Sequence, residues 1–251
     1  MVPTNFLKGS CKSIFFYIPV EKSFIENLLP GKLSLDLPKE LGKEMNISED
    51  MHPVLIMANV THLEFDENFL KNPVFRGWPF VLDYDEYVIN IPYVRRKDHN
   101  LPYIFLPVLY LDSWRAILGA RLIYQFNKRK KSFEKNKNYF RAKNIFGRSK
   151  METNVVSETL PAVKASSSQH FMSQRSILYL TVVQHGIYGY SQSIYQLEDL
   201  DNALITPAKI KFVNKTSFLP EKSWDVRDIN DSPMGAYRIN YNWKLTFPFR
   251  I

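Results

Sequence analysis

Short apolar runs rich in β-forming residues recur along the chain, and each of them predicts a strand. The clearest are residues 14–20 (IFFYIPV), 53–60 (PVLIMANV) and 103–111 (YIFLPVLYL). Pro107 lies inside the third run and has no N–H for a sheet ladder, so it predicts a bulge or an edge position. Further strands are predicted at 32–37, 177–183, 188–195, 209–213 and 237–251.

The segment 80–94 (FVLDYDEYVINIPYV) is a longer strand candidate that mixes apolar and acidic residues. Because successive side chains of a strand point to opposite faces, alternate residues share a side. An extended conformation therefore places Tyr84, Glu86, Val88 and Asn90 together on one side of the predicted sheet.

Helical signals are few and short. Ser23 and Glu26 have the spacing of a capping box and predict a helix at 24–29, which Pro30 and Gly31 would end. Polar composition predicts loops at 39–50 and 165–170. Apolar spacing predicts one or two helical turns at 113–118.

These helices are too short to serve as the crossovers of a parallel βαβ scheme. The sequence therefore predicts a mainly β (α+β) fold, in which antiparallel sheets close into a barrel or sandwich with a few short helices. The length fits one large β-rich domain or two small ones, and we expect residues 1–251 to form a single domain.

Composition adds two expectations. Aromatic residues make up 14% of the chain, which favours strands over helices. Cys11 is the only cysteine, so no intrachain disulfide can form and a cytoplasmic protein is expected. No stretch approaches the ~18 uninterrupted apolar residues of a membrane span, so we expect no membrane association.

Positive charge is concentrated in one segment. Residues 125–150 contain ten Lys or Arg and one acid, Glu134, a net charge of +9 against +8 for the whole chain. This segment is interpreted either as a solvated hairpin or loop, or as a surface that attracts an anionic small molecule, nucleic acid or an acidic partner. Nucleic acid is disfavoured, because no zinc-finger, RRM or helix-turn-helix signature accompanies the segment.

Several common site types lack their signatures. The five histidines show no metal-ligand spacing such as HExxH, so no metal site is expected. The sequence contains neither a glycine-rich phosphate loop nor a G-x-S-x-G elbow. No cofactor is therefore predicted, and the remaining signal is a lysine cluster that follows an apolar run.

Residues 109–131 read LYLDSWRAILGARLIYQFNKRKK. This stretch resembles the acetoacetate decarboxylase family, where a strand ends in an aspartate and a short helical segment follows. In that family an arginine element and a Gly-Phe-Pro-Lys-Lys element come next, and the first lysine forms a Schiff base with the substrate. Arg121, Phe126 and Lys128 stand at the arginine, aromatic and Schiff-base positions, and Arg129 stands at the second lysine.

Two upstream segments extend the resemblance to roughly residues 14–131. Tyr84-Asp85-Glu86 is similar to the family's Tyr-x-Glu element, whose glutamate lies in the active site. Residues 16–35 (FYIPVEKSFIENLLPGKLSL) are similar to the family's opening strand, short helix and Leu-Pro turn.

The resemblance implies a barrel or cone of antiparallel sheets, a homo-oligomer and a small oxo-acid as substrate or ligand. It implies a lyase without metal or cofactor, acting by decarboxylation, or by aldol or dehydration chemistry through the same imine. The site residues that it implies are catalytic Lys128, Glu86 and Arg129, with Arg121, Phe126, Tyr84 and Tyr124 binding the substrate.

The chemistry explains these residue types. An amine must be neutral to form an imine, whereas a free lysine has a pKa near ~10.4. Burial and a neighbouring cation both depress that pKa, and acetoacetate decarboxylase is a standard example of such activation. Arg129 would supply the cation, and Phe126 and Tyr124 the dry walls. Glu86 would orient the substrate or move a proton, and Arg121 would bind the carboxylate or brace the strand.

Four positions depart from the family pattern: Leu122, Gln125, Asn127 and Arg129 replace its glutamate, glycine, proline and second lysine. They keep open a catalytically silent relative that binds a small apolar or anionic ligand. A scaffold that uses the +9 segment on an acidic partner is a third possibility. Lys128 as a solvated lysine and Glu86 as an exposed strand residue also stay open at this point.

Overall fold

The computed structural model describes residues 5–66, 81–123, 126–144, 146–186, 189–246 and 248–250. The described residues form one mixed sheet of seventeen strands and four short α-helices. The strands are β1 Asn5–Glu21, β2 Leu33–Leu35, β3 Met51–Phe65, β4 Val81–Arg96, β5 Pro102–Leu111, β6 Lys128–Lys130, β7 Ser132–Asn136, β8 Tyr139–Lys143, β9 Lys150–Glu158, β10 Val163–Lys164, β11 Thr181–Gly186, β12 Gly189–Ser193, β13 Tyr195–Glu198, β14 Leu204–Lys215, β15 Lys222–Val226, β16 Ala236–Thr246 and β17 Phe249–Arg250. The helices are α1 Lys22–Glu26, α2 Lys39–Glu44, α3 Trp114–Ile123 and α4 Gln169–Leu178.

Strands β16, β1, β3, β4 and β5 are successive antiparallel neighbours and form the centre of the sheet. Strand β5 is different, because it pairs in parallel with both β6 and β11. The prediction of purely antiparallel sheets is therefore wrong for two pairings. Helix α3 joins β5 to β6 and carries the chain back, so that both strands run in the same direction. Closure into a barrel or cone stays a prediction.

Register aligns four strands across the middle of the sheet. Met57 of β3 pairs with Val88 of β4, Val88 pairs with Leu109 of β5, and Leu109 pairs with Lys128 of β6. Each strand places alternate residues on the same face. This row of side chains therefore places Lys128 on the same face as Met57, Val88 and Leu109.

Two apolar cores cover the two faces. Along β1, Phe15 and Tyr17 belong to one core, whereas Phe16 and Ile18 belong to the other, and all four side chains are buried. Full burial of such a side chain contributes about 1.5–3 kcal/mol. Burial on both faces explains why the strands read as continuous apolar runs rather than as alternating ones.

The start of α1 differs from the sequence prediction. The helix begins at Lys22, its N-cap is Glu21, and no side chain caps it. Strand β1 continues to Glu21, and the Lys22 amide donates to the Asp50 carbonyl at 2.9 Å. Ser23 therefore lies inside the helix, and the predicted capping box is wrong because this contact between β1 and the start of β3 fixes the first turn.

Two further predictions are wrong at element boundaries. Residues 39–50 contain helix α2 where a loop was expected, and residues 177–178 are the last turn of α4 where a strand was expected. Short apolar runs fit a buried helix end as well as a strand. The bulge predicted at Pro107 is confirmed, because the β4–β5 register shifts between Ile89 and Ile91, opposite that proline.

The +9 segment forms strands β6 to β8 and the start of β9, and β7 and β8 make a hairpin. Acidic residues pair with many of its charges. Glu134 contacts Arg141 and Lys143, and Asp85 of β4 lies 2.5 Å from the Lys135 amine. This arrangement agrees with the hairpin interpretation. Among the described residues, no helix is long and apolar enough to cross a membrane.

Candidate active site

A cavity of about 320 Å³ lies on the face that carries Lys128. Its walls are mostly hydrocarbon from strands β1, β3, β4, β5, β11 and β16 and from the end of α4. The polar or partly polar groups that line it are Asn59, Tyr84, Glu86, Asn90, Arg115, Lys128, Tyr195 and Trp243.

The backbone around Lys128 is held on both sides. The Leu109 amide donates to the Asn127 carbonyl at 3.0 Å, and the Asn127 side-chain amide donates to the Pro107 carbonyl at 2.7 Å. Arg121 donates from its Nε to the Lys128 carbonyl at 3.1 Å. Contacts from helix α3 and strand β5 therefore fix the backbone position of Lys128.

The Lys128 amine lies in apolar surroundings. The residue is 6% exposed, and its Nζ lies 5.7 Å from the centre of the Phe126 ring and 5.9 Å from that of Tyr84. Burial lowers the pKa of Lys128 to about 8, against the smaller opposing effect of Glu86. The solvated-lysine interpretation is therefore wrong, and a sizeable fraction of the amine is neutral near pH 8.

The negative charge of Glu86 raises the pKa of Lys128. Glu86 is itself buried, with 7% of its surface exposed. Its Oε1 accepts hydrogen bonds from the Asn59 amide at 3.0 Å and from the Thr61 hydroxyl at 3.2 Å. Burial raises the pKa of Glu86, while Lys128 and these two donors act in the opposite direction. The exposed-strand interpretation of Glu86 is wrong.

Solved structures with the same arrangement of strands span nearly the whole chain. The enduracididine biosynthesis enzyme MppR, solved with pyruvate, superposes with a TM-score of 0.57 at 10% identity, over 99% of this chain and 91% of its own. An acetoacetate decarboxylase-like enzyme from Sphingomonas wittichii RW1 gives 0.56 at 9% identity, over 100% and 94%. Acetoacetate decarboxylase from Legionella pneumophila gives 0.54 at 12% identity, over 99% and 87%.

This chain has the acetoacetate decarboxylase fold. No protein-family model and no curated protein matches the sequence. The acetoacetate decarboxylase-like fold suggested by residues 14–131 is thereby confirmed, and it extends to the C-terminal half of the chain.

Within the acetoacetate decarboxylase fold of this chain, Arg129 occupies a different environment from the one expected. It follows Lys128 in β6, is exposed, and its guanidinium lies 4.8 Å from the centre of the Phe218 ring. Neighbouring residues of a strand point to opposite faces, so Arg129 is directed away from the cavity. Desolvation rather than a neighbouring cation lowers the pKa of Lys128, and the predicted electrostatic role of Arg129 is not supported.

The four predicted substrate-binding residues are distributed differently. Tyr84 and Phe126 line the cavity. Arg121 is exposed and is not among the described lining residues; its contact with the Lys128 carbonyl fits the bracing role. Tyr124 lies outside the described residues. A substrate contact for Arg121 or Tyr124 stays a prediction.

Three site residues escaped the sequence analysis: Asn59, Thr61 and Arg115. Asn59 and Thr61 bind Glu86, and Asn59 Oδ1 has no hydrogen-bond partner within the described part of the chain. Arg115 is exposed and also lines the cavity, so this residue lies at the mouth. Only the β3–β4 register identifies Asn59, which pairs directly with Glu86.

Replacing Glu86 by glutamine should make Lys128 more reactive at low pH. The carboxylate raises the pKa of the lysine, so its removal lets desolvation act alone and the pKa falls further below about 8. The rate of Lys128 acylation by a neutral aryl acetate, mapped by peptide mass, should reach half of its maximum at a lower pH than in the unsubstituted protein.

Glu134→Gln is the matched control, because Glu134 is bonded to Arg141 and Lys143 at the surface. Its acylation profile should coincide with that of the unsubstituted protein. A Glu86→Gln profile that stays in place, or moves to higher pH, would contradict the electrostatic coupling.

Proposed function

We propose that this protein is a lyase that decarboxylates an oxo-acid through a Schiff base on Lys128. The observation that carries the proposal is a lysine whose pKa is lowered to about 8 by burial in an apolar cavity, next to buried Glu86. Strong perturbation of the pKa of a cleft residue is characteristic of functional sites.

The proposed reaction begins with attack of the neutral Lys128 amine on the substrate carbonyl carbon. Water leaves, and a protonated imine forms. The bond between the carboxylate and the adjacent carbon then breaks, carbon dioxide leaves, and the electron pair moves through that carbon to the iminium nitrogen, giving an enamine. Protonation of the carbon and hydrolysis of the imine release the ketone and restore the amine.

Proton transfers are assigned to Glu86. Burial raises its pKa, so that it can hold a proton at a higher pH than a solvated carboxyl group. Asn59 and Thr61 fix the carboxyl group by hydrogen bonds at 3.0 and 3.2 Å. The dry walls favour the step in which charge is lost as carbon dioxide leaves.

The acid group of the substrate is assigned to Arg115. This residue provides a cation at the mouth of an otherwise apolar cavity, and a guanidinium can bind a carboxylate through two hydrogen bonds. MppR, which shares the fold, was solved with pyruvate and with the condensation product of pyruvate and imidazole 4-carboxaldehyde. Those ligands support a small oxo-acid as the part of the substrate that reacts.

Borohydride trapping tests the imine directly. We expect incubation with 3-oxo acids and sodium borohydride to leave a reduced adduct on Lys128, identified by intact mass and peptide mapping. Lys131 is an internal control, since it is also buried but its amine donates to Ser149 Oγ at 2.7 Å. It should carry no adduct.

A folded protein that gives no adduct with any oxo-acid would overturn the proposal. Saturable binding of the same acids by that protein, without carbon dioxide release, would instead identify a non-catalytic ligand-binding relative. An adduct that maps to Lys131 or to an exposed lysine would contradict the assignment of Lys128.

A further inference from the structure

The cavity extends well beyond the reacting groups. At about 320 Å³ it falls in the range of roughly 300–1,000 Å³ typical of sites for drug-sized ligands, which is far more than a four-carbon acid occupies. Its polar groups are few, and Lys128 and Glu86 lie between two apolar regions. We define these as the β1 arm, lined by Phe6, Leu7, Leu63, Leu82 and Leu245, and the α4 arm, lined by Leu55, Ile104, Leu106, Leu178, Leu180 and Val182.

Sheet register fixes the order of these regions. Val88 is at the level of Lys128, and Glu86 lies two residues toward the start of β4, paired with Leu111. Arg115 follows Leu111 by four residues, so it belongs to the Glu86 end of the row. Asn90 lies two residues the other way, about 7 Å from Val88 at ~3.3 Å per residue.

The α4 arm begins at that opposite end. Leu55 pairs with Asn90 across β3 and β4, and Ile104 pairs with Val182 across β5 and β11. The Asn90 amide donates to the Leu55 carbonyl at 3.4 Å and contacts Met57 Sδ at 3.2 Å, so its N–H groups are engaged by β3. The arm therefore offers a ligand hydrocarbon contacts.

From this order we infer that the substrate is a 3-oxo acid with an unbranched apolar tail, and that the tail occupies the α4 arm. The inference rests on the proposed function. An acid whose carboxylate meets Arg115 and whose carbonyl reaches Lys128 must direct its remaining carbons past Val88 toward Leu106 and Leu178. The leucine, isoleucine and valine side chains there cannot form a hydrogen bond with a polar substituent on the tail. Each added methylene, in contrast, makes further apolar contact with them.

The test compares unbranched 3-oxo acids of four to twelve carbons. We expect kcat/KM to rise about three- to fourfold for each methylene, and then to level off or fall once the α4 arm is full. A flat series in an enzyme that turns over the four-carbon acid would overturn this inference and leave the Schiff-base proposal intact.

Two matched substitutions assign the arm. Leu106→Trp adds bulk to the α4 arm, and the ratio of kcat/KM for the ten-carbon acid to that for the four-carbon acid should fall at least tenfold. Leu82→Trp adds the same bulk to the β1 arm and should keep the ratio of the unsubstituted protein. A fall in this ratio in Leu82→Trp but not in Leu106→Trp would place the tail in the β1 arm and overturn the inference.

A binding measurement separates this inference from the chemistry and does not depend on bulky variants folding. Lys128→Ala protein should bind saturated unbranched acids, detected by displacement of an apolar fluorophore, with affinity that rises about three- to fourfold per methylene. That result together with no adduct in the unsubstituted protein would mean that only the proposed reaction fails. Affinity independent of chain length would overturn the apolar tail.

Discussion

Lys128→Ala protein should release no carbon dioxide from any 3-oxo acid above the uncatalysed rate, a loss of at least about 10⁴-fold in kcat/KM. Every bond-breaking step of the proposed reaction passes through an imine on this amine. No other lysine among the described residues lines the cavity, so no neighbouring amine can substitute. Turnover is best followed by carbon dioxide release in a coupled assay.

Lys131→Ala is the matched control. Lys131 belongs to the same basic run and is also buried, but its amine binds the Ser149 carbonyl and hydroxyl oxygens away from the cavity. We expect this variant to keep kcat/KM within a few-fold. Thermal unfolding of both variants would show whether they are folded. Substantial turnover by folded Lys128→Ala protein would disprove the Schiff-base mechanism.

The second large effect is on stability. The pKa of Lys128 is about 8 in the folded protein and 10.5 in an unperturbed lysine. Between these pH values the unfolded chain holds a proton that the folded protein has lost, so stability rises with pH. Below pH 8 the buried ammonium imposes its full cost, about 3 kcal/mol at ~1.36 kcal/mol per pKa unit.

Lys128→Met removes this cost. At pH 7 we expect its free energy of unfolding to exceed that of the unsubstituted protein by about 3 kcal/mol more than it does at pH 10.5. Urea denaturation at several pH values from 7 to 10.5 measures the difference. In a Glu86→Gln background no carboxylate is left beside the deleted ammonium, and the difference should be larger because the pKa of Lys128 falls further there. Two curves that run parallel over this range would contradict the burial of a titrating amine.

Much of the central sheet was predictable, because its strands are long apolar runs. The alternation within 80–94 placed Tyr84, Glu86, Val88 and Asn90 on one side, and all four line the cavity. Local patterns failed where long-range contacts decided the outcome. Strand β1 continues to Glu21 and moves the start of α1, and the core around Ile177 keeps that residue in a helix.

The candidate site was predictable in part for a similar reason. Resemblance to the family within one segment of chain indicated Lys128 and Phe126, and resemblance within one strand indicated Glu86. Arg115 and Asn59 join the site through strand pairing, which no single segment records. Arg129 was assigned to the amine by its place in the sequence, whereas the two-residue period of β6 directs it toward Phe218.

That period of β6 also bears on how the segment around Lys128 can change over evolutionary time. Under the proposed function, selection for turnover would act on the inward residue, Lys128, and on the row of cavity residues aligned with it. Arg129 faces the other way, so its side chain can change provided that the strand persists, whereas Asn127 secures the backbone by a bond to Pro107. A lineage can therefore exchange the outward-facing residues around the lysine and keep one amine in place.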